Sequence, residues 1–169
     1  MQQVDNPFAI RYPRGNVHKP LSGRDPEVIK IGSWEALAEG EDVAFLAVGT
    51  MVDHACQARD KLVEDGISAA VINCRFVKPM DLEMLNDLAE RYLVLITVEE
   101  NTIEGGFGSA VTCHLSDRMR PGQRIYTVGI PDRFFSHGSQ GGLREEAGIS
   151  PEAIAAMARR VVAKEPADH

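Results

Sequence analysis

The chain has 169 residues, of which 44% are hydrophobic and 25% are charged, so its size and composition suit one globular domain with a short appendage. Its net charge of −7 argues against a surface that binds nucleic acid or an anionic membrane. No basic-then-apolar signal pattern opens the sequence, and no apolar run approaches about 18 residues. We therefore expect a soluble cytoplasmic protein.

The cysteines and histidines give no indication of a metal site or of a disulfide framework. Cys56, Cys74 and Cys113 are odd in number and lack CxxC spacing, which indicates reduced thiols. His54 lies two residues from Cys56, and His114 is adjacent to Cys113. On a helix such neighbours point away from each other, so we expect no metal ligands in this chain.

The sequence opens with the apolar stretch DNPFAIRYPRGN (5–16), which predicts a short strand followed by two arginines, Arg11 and Arg14. Arginines held near a proline and a glycine commonly face an anionic group. The next segment, 16–26, has the proline, glycine and polar content of a linker. The opening strand and the linker therefore lie outside the main domain.

Beyond the linker, short apolar runs alternate with segments of helical periodicity. The predicted strands are 27–31 at a sheet edge, 43–49, 69–73, 93–98 and 124–130. The predicted helices are 51–65, a helix capped by Asp81, 108–118, and a helix from Ser150–Pro151 to about residue 162. The tail 165–169 is expected to fray. This alternation predicts an α/β fold, a three-layer α/β/α sandwich with a mostly parallel sheet of about five strands.

A glycine-rich turn, EGGFGS (104–109), falls beyond the carboxyl end of a predicted strand, where open parallel sheets bind ligands. Because the turn opens a helix, its N–H groups are able to hold an anion. It matches neither GxGxxG nor GxxxxGK[ST], however, and Glu99, Glu100 and Glu104 surround it with negative charge. We favour a tight turn that brings the helix close to another backbone.

The other polar residues at these strand ends do not form a catalytic set. Glu99 and Glu100 are adjacent, so on a strand they face opposite sides, and helix capping or an interface contact is favoured over an acid–base pair. His137 is a candidate base, but the nearby serines are too close in sequence to complete a triad. Arg75 and Lys78 form a small basic patch of the kind that makes surface salt bridges. These residues indicate a domain that holds something rather than one that reacts with it.

Five segments occur together in one order and spacing, namely FAIRYPRGN (8–16), LAVGT (46–50), RFVKPMD (75–81), ITVEENTIEGGFGSAV (96–111) and VGIPDRFFSHGSQ (128–140). They resemble the carboxyl-terminal end of the 1-deoxy-D-xylulose-5-phosphate synthase family, which are transketolase-like thiamine enzymes. The TVEEN…GGFGS stretch is shared in looser form across transketolase-like proteins, whereas RYPRG with RFVKP and GIPD points more narrowly to the synthases. The likeness runs through essentially the whole chain.

The resemblance implies a full enzyme with one domain for the cofactor's diphosphate, one for its aminopyrimidine and a carboxyl-terminal domain. Residues 1–15 resemble the last strand of the pyrimidine-binding domain, 16–26 the connector, and 27–164 the transketolase C-terminal-like domain. Because the first segment lacks the sheet that it would join, we expect residues 1–15 to be displaced, disordered or paired with another chain.

The resemblance also implies a reaction. The full enzyme uses thiamine diphosphate and Mg²⁺ to condense pyruvate with glyceraldehyde 3-phosphate, giving carbon dioxide and 1-deoxy-D-xylulose 5-phosphate, a precursor of isoprenoids, thiamine and pyridoxal. The family's catalytic, cofactor-binding and metal-binding residues match sequence that this chain lacks. Arg14 matches an arginine near the phosphate of the aldehyde substrate, and Arg11 is a weaker candidate. We expect the chain to be inactive alone and to serve packing and homodimer formation.

Two other interpretations stay open. One is a stand-alone assembly or binding module that acts with a separate thiamine-binding chain. The other is the carboxyl-terminal part of a 2-oxo-acid dehydrogenase component, which the glycine turn alone does not exclude. RYPRG together with RFVKPMD favours the synthase over both.

Overall fold

The computed structural model describes residues 7–12 and 28–163. The second range folds into strands β1 (Glu35–Ala38), β2 (Val43–Ala47), β3 (Ala69–Asn73), β4 (Val94–Thr102) and β5 (Arg124–Ile130), and helices α1 (Met51–Val63), α2 (Leu82–Arg91), α3 (Phe107–Leu115), α4 (Gln140–Ala147) and α5 (Pro151–Val162). Within the described ranges, no helix combines the length and apolar character needed to cross a membrane.

The five strands form one sheet in the order β1-β3-β2-β4-β5. Neighbouring strands run parallel except β1, which is antiparallel to β3 and places Glu35 opposite Asn73. The carboxyl ends of β2 to β5 therefore share one edge of the sheet with the start of β1, and we call this the carboxyl edge. The opposite side is the amino edge. The predicted fold class, a mostly parallel sheet of about five strands, is confirmed.

Strand β2 shows why helices cover both faces of the sheet. Its five residues are all buried, and alternate side chains enter two separate apolar clusters. Val43, Phe45 and Ala47 pack with α1 and α5, whereas Ala44 and Leu46 pack with α2 and α3. Because full burial of a large apolar side chain contributes about 1.5–3 kcal/mol, both faces need a helical layer. The result is the predicted three-layer sandwich.

Two predicted helix starts are confirmed by their caps. The Asp81 carboxylate accepts a hydrogen bond of 3.0 Å from the backbone N–H of Met84, in the first turn of α2. The Ser150 hydroxyl accepts one of 3.3 Å from the N–H of Ala153, and Pro151 occupies the first helical position of α5. These local signals therefore position both helices correctly.

The predicted edge strand at 27–31 is wrong, because the edge strand is β1 and begins at Glu35. Residues 28–31 form no strand and are exposed. The chain is instead anchored at Trp34, whose backbone N–H donates to Asp81 and whose indole N–H donates to the carbonyl of Phe76 at 2.8 Å. Pairing with β3 starts only after this buried anchor, which sequence periodicity does not show.

Helix α4 was not predicted, because its first residues are glycine-rich and read as a loop. The Ser139 hydroxyl caps it by accepting from the N–H of Gly142 at 3.2 Å, and Gly148 ends it in the left-handed conformation with φ 73°. Helix α3 is also shorter than the predicted 108–118. Its last turn stops at Leu115.

The opening segment is described only at residues 7–12, which are exposed and form no strand. A strand needs neighbours to satisfy its backbone groups, and this segment finds none among the described residues. Arg14, the linker 16–26 and the tail 165–169 lie outside the described residues. The domain boundaries therefore stay a prediction.

Candidate functional site

The carboxyl edge carries the loops in which an open parallel sheet binds ligands. Residues 48–50 follow β2, residues 74–81 follow β3, residues 103–106 follow β4, and residues 131–139 follow β5. These loops bring together Glu99, Glu100 and the glycine turn, as the sequence predicted. The hydrogen bonds of these side chains determine whether the carboxyl edge has free groups for binding or catalysis.

Glu99 caps helix α3 from inside the protein. Its side chain is only 2% exposed, and its two oxygens accept 2.8 Å hydrogen bonds from the backbone N–H groups of Phe107 and Gly108. A helix N-terminus carries partial positive charge and free N–H groups, which a carboxylate satisfies well. Helix capping by Glu99 is thus confirmed, and the anion position of this helix is filled by the chain itself.

The glycines of the turn allow this close approach. Gly105 has φ 70°, in the left-handed region that favours glycine. A Cβ atom on Gly108 would lie 2.5 Å from the hydroxyl oxygens of Thr97 and Thr127, and one on Gly106 would collide with the Glu99 carboxylate. The expectation of a tight turn that lets the helix approach another backbone is confirmed. The glycines serve packing.

Glu100 points to the opposite side of the sheet from Glu99 and belongs to a different cluster. Its carboxylate accepts 2.7 Å hydrogen bonds from the Thr50 hydroxyl and from Nε of Arg144. Burial raises the pKa of Glu100, but the hydrogen bonds from Arg144 and Thr50 outweigh it and hold the pKa below its ordinary value. The two adjacent glutamates therefore do not form an acid–base pair.

The loop after β5 does not assemble a catalytic triad around His137. The His137 side chain is exposed, and the nearby Ser139 hydroxyl already accepts a hydrogen bond as the cap of α4. Another histidine, His54, uses Nδ1 to donate to the carbonyl of Ile149 at 3.0 Å, because a carbonyl can only accept. His54 thus ties α1 to the start of α5.

In the predicted basic patch, Arg75 bonds to residues of its own domain. Its guanidinium donates to the Ser33 hydroxyl at 3.2 Å and to the Trp34 carbonyl at 3.1 Å, and it pairs with Glu35 at 3.7 Å. These contacts fix the chain where it enters β1. Lys78 is exposed. The expectation of a salt-bridging surface is confirmed for Arg75.

The thiols are free, as predicted from their number, and the surroundings of two of them disfavour the thiolate. Burial, helped by Asp81, raises the pKa of Cys74 well above its ordinary value. Burial and the nearby Asp53 also raise the pKa of Cys56. Because the thiolate is the reactive form, these environments suppress reactivity.

The donor set of this edge does not fit a diphosphate with its Mg²⁺. Glu99 already occupies the N–H groups of α3 that a diphosphate would use, and Glu104 adds a further negative charge to the turn. Within the described ranges, no three His, Cys, Asp or Glu side chains are grouped to hold a metal ion. Arg11 is exposed, and its part in phosphate binding stays a prediction, as does that of Arg14.

Sequence reasoning missed the Thr50–Glu100–Arg144 cluster. Arg144 lies on the unpredicted helix α4, 44 residues from its partner. The signals that identify α4 are Ser139 and Gly148, which flank an eight-residue segment as cap and stop. Reading those two residues as a pair predicts the helix and places Arg144 near the carboxyl edge.

Comparison with curated proteins gives close relatives of one name. The 1-deoxy-D-xylulose-5-phosphate synthase of Aquifex aeolicus is 51% identical over 151 residues, which are 88% of this chain and 23% of that protein. The 1-deoxy-D-xylulose-5-phosphate synthase 1 of Geobacter sulfurreducens is 48% identical over 160 residues, which are 94% of this chain and 25% of that protein. The chain spans about a quarter of these relatives and aligns with their carboxyl-terminal part.

Solved structures agree with the fold. A split-gene transketolase, described as an inactive β4 tetramer, superposes with a TM-score of 0.75 at 30% identity, covering 82% of this chain and 45% of that chain. A Pichia stipitis transketolase mutant has a TM-score of 0.58 at 21% identity, covering 78% of this chain and 18% of that chain, and shows the fold alone. The family model described as transketolase, C-terminal domain, matches residues 32–154. The chain belongs to the transketolase C-terminal domain family.

Proposed function

We propose that this chain is the carboxyl-terminal domain of a 1-deoxy-D-xylulose-5-phosphate synthase and that it serves packing rather than chemistry. The observation that carries the proposal is 51% identity to such a synthase over 88% of the chain. The internal use of Glu99 as a helix cap supports the packing role, because it removes the anion position of α3. On this proposal the isolated chain is inactive.

The reaction of the full enzyme joins pyruvate and glyceraldehyde 3-phosphate and releases carbon dioxide. Thiamine diphosphate, held with Mg²⁺ by sequence outside this chain, supplies the decarboxylation and bond-forming chemistry. From this chain, Arg14 grips the phosphate of glyceraldehyde 3-phosphate, because a guanidinium fork matches phosphate oxygens, and Arg11 is the weaker candidate. The three free thiols support a cytoplasmic location.

Self-association is a second part of the proposal. We infer that the full enzyme is a homodimer and that this domain contributes to its interface. The split-gene transketolase described as a β4 tetramer supports assembly in this fold family. Sedimentation of the full-length enzyme at increasing concentration tests this, with a dimer mass expected. A monomer mass at every concentration would contradict it.

The stand-alone module is the second candidate, and one observation favours it. A transketolase with a split gene shares this fold at 30% identity. In that case the chain binds a separate thiamine-binding polypeptide instead of continuing one. Purifying the chain from its own organism distinguishes the two, because a single polypeptide near 18.5 kDa supports the module and a chain about four times longer supports the synthase.

An activity assay tests the synthase proposal. The isolated chain and the full-length polypeptide that contains it are each mixed with pyruvate, glyceraldehyde 3-phosphate, thiamine diphosphate and Mg²⁺. We expect 1-deoxy-D-xylulose 5-phosphate only from the full-length polypeptide. Product from the isolated chain would contradict the packing role, and no product from either would contradict the synthase.

Arginine variants of the full-length enzyme test the phosphate contact. Replacing Arg14 with alanine is expected to raise KM for glyceraldehyde 3-phosphate at least tenfold, while KM for pyruvate changes little. Arg160→Ala is the matched control, because Arg160 is an exposed arginine on α5 with no carboxylate partner among the described residues. Equal KM values for the two variants would remove Arg14 from the site.

A further inference from the structure

Exposed large apolar side chains concentrate at one side of the domain. Val28 and Phe134 are fully exposed, at 102% and 105%, and Ile29, Ile31, Val77 and Leu82 are at least 45% exposed. All six lie in or next to the loops of the carboxyl edge or the segment that leads into β1, with five at the β1–β3 end of this edge and Phe134 after β5 at its other end. Ile31 and Leu82 also line a shallow groove of about 270 Å³ between residues 30–33 and 79–83. The five exposed apolar side chains at the β1–β3 end are grouped in the way that marks an interaction surface, and Phe134 is a separate exposed side chain on the same edge.

The position at which the chain enters β1 indicates which partner this surface binds. Strand β1 starts at the carboxyl edge, because Glu35 lies opposite Asn73, the last residue of β3. Polypeptide that precedes this domain therefore arrives at the carboxyl edge. In the curated relatives about three quarters of the protein lies outside the matched carboxyl-terminal part. The chain that would join this domain to an upstream part therefore enters at this edge.

Helix α4 adds a second feature, since it is held by polar contacts and buries none of its residues. Arg144 donates to Glu100 at 2.7 Å, and Arg133 donates to the backbone carbonyl of Glu146 at 3.0 Å. The preceding loop, 131–139, has no helix or strand and presents Phe134 to solvent. A helix without buried residues, held largely by the partly exposed Glu100–Arg144 pair and by Arg133, is a low-stability element that a partner is able to order.

We propose that the carboxyl edge docks the upstream part of the same polypeptide, through Phe134 on the loop 131–139 and through the apolar corner of Val28, Ile29, Ile31, Val77 and Leu82. The Glu100–Arg144 pair positions the loop for this contact. The proposal rests on the proposed function, because it needs an upstream part to dock. A second copy of this domain is the rival occupant and is separated by experiment.

Hydrogen exchange measured by mass spectrometry tests the surface directly. The isolated 169-residue chain and the full-length polypeptide are compared peptide by peptide, at two concentrations of the isolated chain. We expect residues 131–147 and 28–33 to exchange at least tenfold more slowly in the full-length polypeptide, with the exposed end of α1 unchanged. Equal exchange in both would overturn the proposal, as would protection in the isolated chain that grows with concentration.

Variants identify the side chains that matter. Phe134→Ser in the full-length polypeptide is expected to return the exchange of 131–147 to the rate of the isolated chain. Val63→Ser is the matched control, because Val63 is an exposed apolar residue at the end of α1, near the amino edge. Both variants of the isolated chain should melt like the parent, since neither side chain is buried. Unchanged exchange in Phe134→Ser would overturn the assignment of Phe134.

The docking test and the test of function fail separately. An active full-length enzyme with equal exchange overturns the docking surface and leaves the synthase intact. A full-length polypeptide without synthase activity but with the expected protection overturns the synthase and supports the docking surface.

Glu100→Gln adds a test of the positioning role. It should speed the exchange of α4 in the isolated chain, and Asp87→Asn, which removes a surface ion pair with Arg91, should not.

Discussion

The two edges of the sheet both bond their main polar groups within the domain, but they differ in their exposed apolar side chains. At the amino edge the Gln123 amide donates to the backbone carbonyls of Ala89 and Tyr92 at 2.6 and 2.9 Å, and the Tyr92 hydroxyl donates to the carbonyl of Gly40 at 2.6 Å. Exposed large apolar side chains there are scattered, namely Val63, Leu93 and Met119. The polar groups of Gln123 and Tyr92 at this edge are therefore satisfied within the domain.

At the carboxyl edge the glutamates bond within the domain, whereas large apolar side chains stay exposed. Glu99 fills the N-terminus of α3, and Glu100 is held by Thr50 and Arg144. Half of the twelve exposed large apolar side chains of the described ranges are nevertheless found at or beside this edge, among them Val28 and Phe134. Loops beyond the ends of parallel strands therefore suit a ligand only when their donors are free. We propose that these loops pack against another part of the protein instead.

The largest expected effect comes from breaking the internal closure of the carboxyl edge. In Glu99→Gln the amide presents its NH₂ group to a backbone N–H of Phe107 or Gly108, so one buried donor loses its acceptor and the helix loses its charge partner. We expect the free energy of unfolding to fall by about 3 kcal/mol. Urea denaturation of the isolated chain measures it. The control is Glu104→Gln, an exposed residue of the same turn, and an equally small change in both variants would contradict the capping role.

The same test at the amino edge is expected to give a smaller loss. Gln123→Ala leaves the carbonyls of Ala89 and Tyr92 without this donor, although Arg120 still donates to Tyr92 at 3.3 Å. We expect a loss of about 2 kcal/mol by urea denaturation. In the full-length polypeptide the exchange rate of residues 131–147 should not change. Faster exchange there would show that the two edges are not independent.

Gly108 and Gly141 differ in the space around them, so alanine substitutions at the two positions test the close packing of α3. Alanine in a helix interior is favoured over glycine by about 1 kcal/mol, yet a Cβ at Gly108 meets two threonine hydroxyls. We expect Gly108→Ala to lower the free energy of unfolding by about 1–2 kcal/mol, because overpacking outweighs propensity. Gly141 in α4 has no atom near such a Cβ, so Gly141→Ala should be neutral or slightly stabilising. Stabilisation by both substitutions would contradict the close contact.

The smallest effect concerns pH. The pKa of Glu100 is lower in the folded chain than its ordinary value of 4.5. The ionised carboxylate therefore stabilises the folded chain fully above pH 4.5, and this stabilisation is lost as the pH falls through the lowered pKa. Because Glu100 is partly exposed, we expect this loss to lower the free energy of unfolding by only about 1 kcal/mol. Melting temperature from pH 7 down to pH 3 measures it. Glu100→Gln should remove this part of the pH dependence, and an unchanged profile would contradict the role of the ion pair.

The sequence predicted what is local and missed what depends on distant contacts. Asp81 and Ser150 act within one helical turn, so patterns of neighbours identified both caps. The side chain of Glu99 bonds to residues eight and nine positions away, and for it the sequence left helix capping and an interface contact as alternatives. The start of β1 depends on Trp34 bonding to Asp81, 47 residues away, and α4 depends on Arg144 bonding to Glu100. Such contacts leave no periodic signal in the sequence.

The site was predicted to a similar extent and for the same reason. The glycine turn and the opposed glutamates followed from spacing on a strand and a helix. The roles of Arg14 and Arg11 rest on resemblance, because their target is a substrate and not a neighbour in the chain. They stay predictions until the arginine variants are measured.

We propose that the carboxyl edge of this domain packs against protein and does not bind the cofactor. Amide NMR of the isolated chain, titrated with thiamine diphosphate and Mg²⁺, tests it most directly at Phe107 and Gly108, whose N–H groups Glu99 occupies. We expect no saturable shift of these two signals up to millimolar cofactor. A saturable shift of both would show that the cofactor reaches the helix N-terminus and would contradict the proposal.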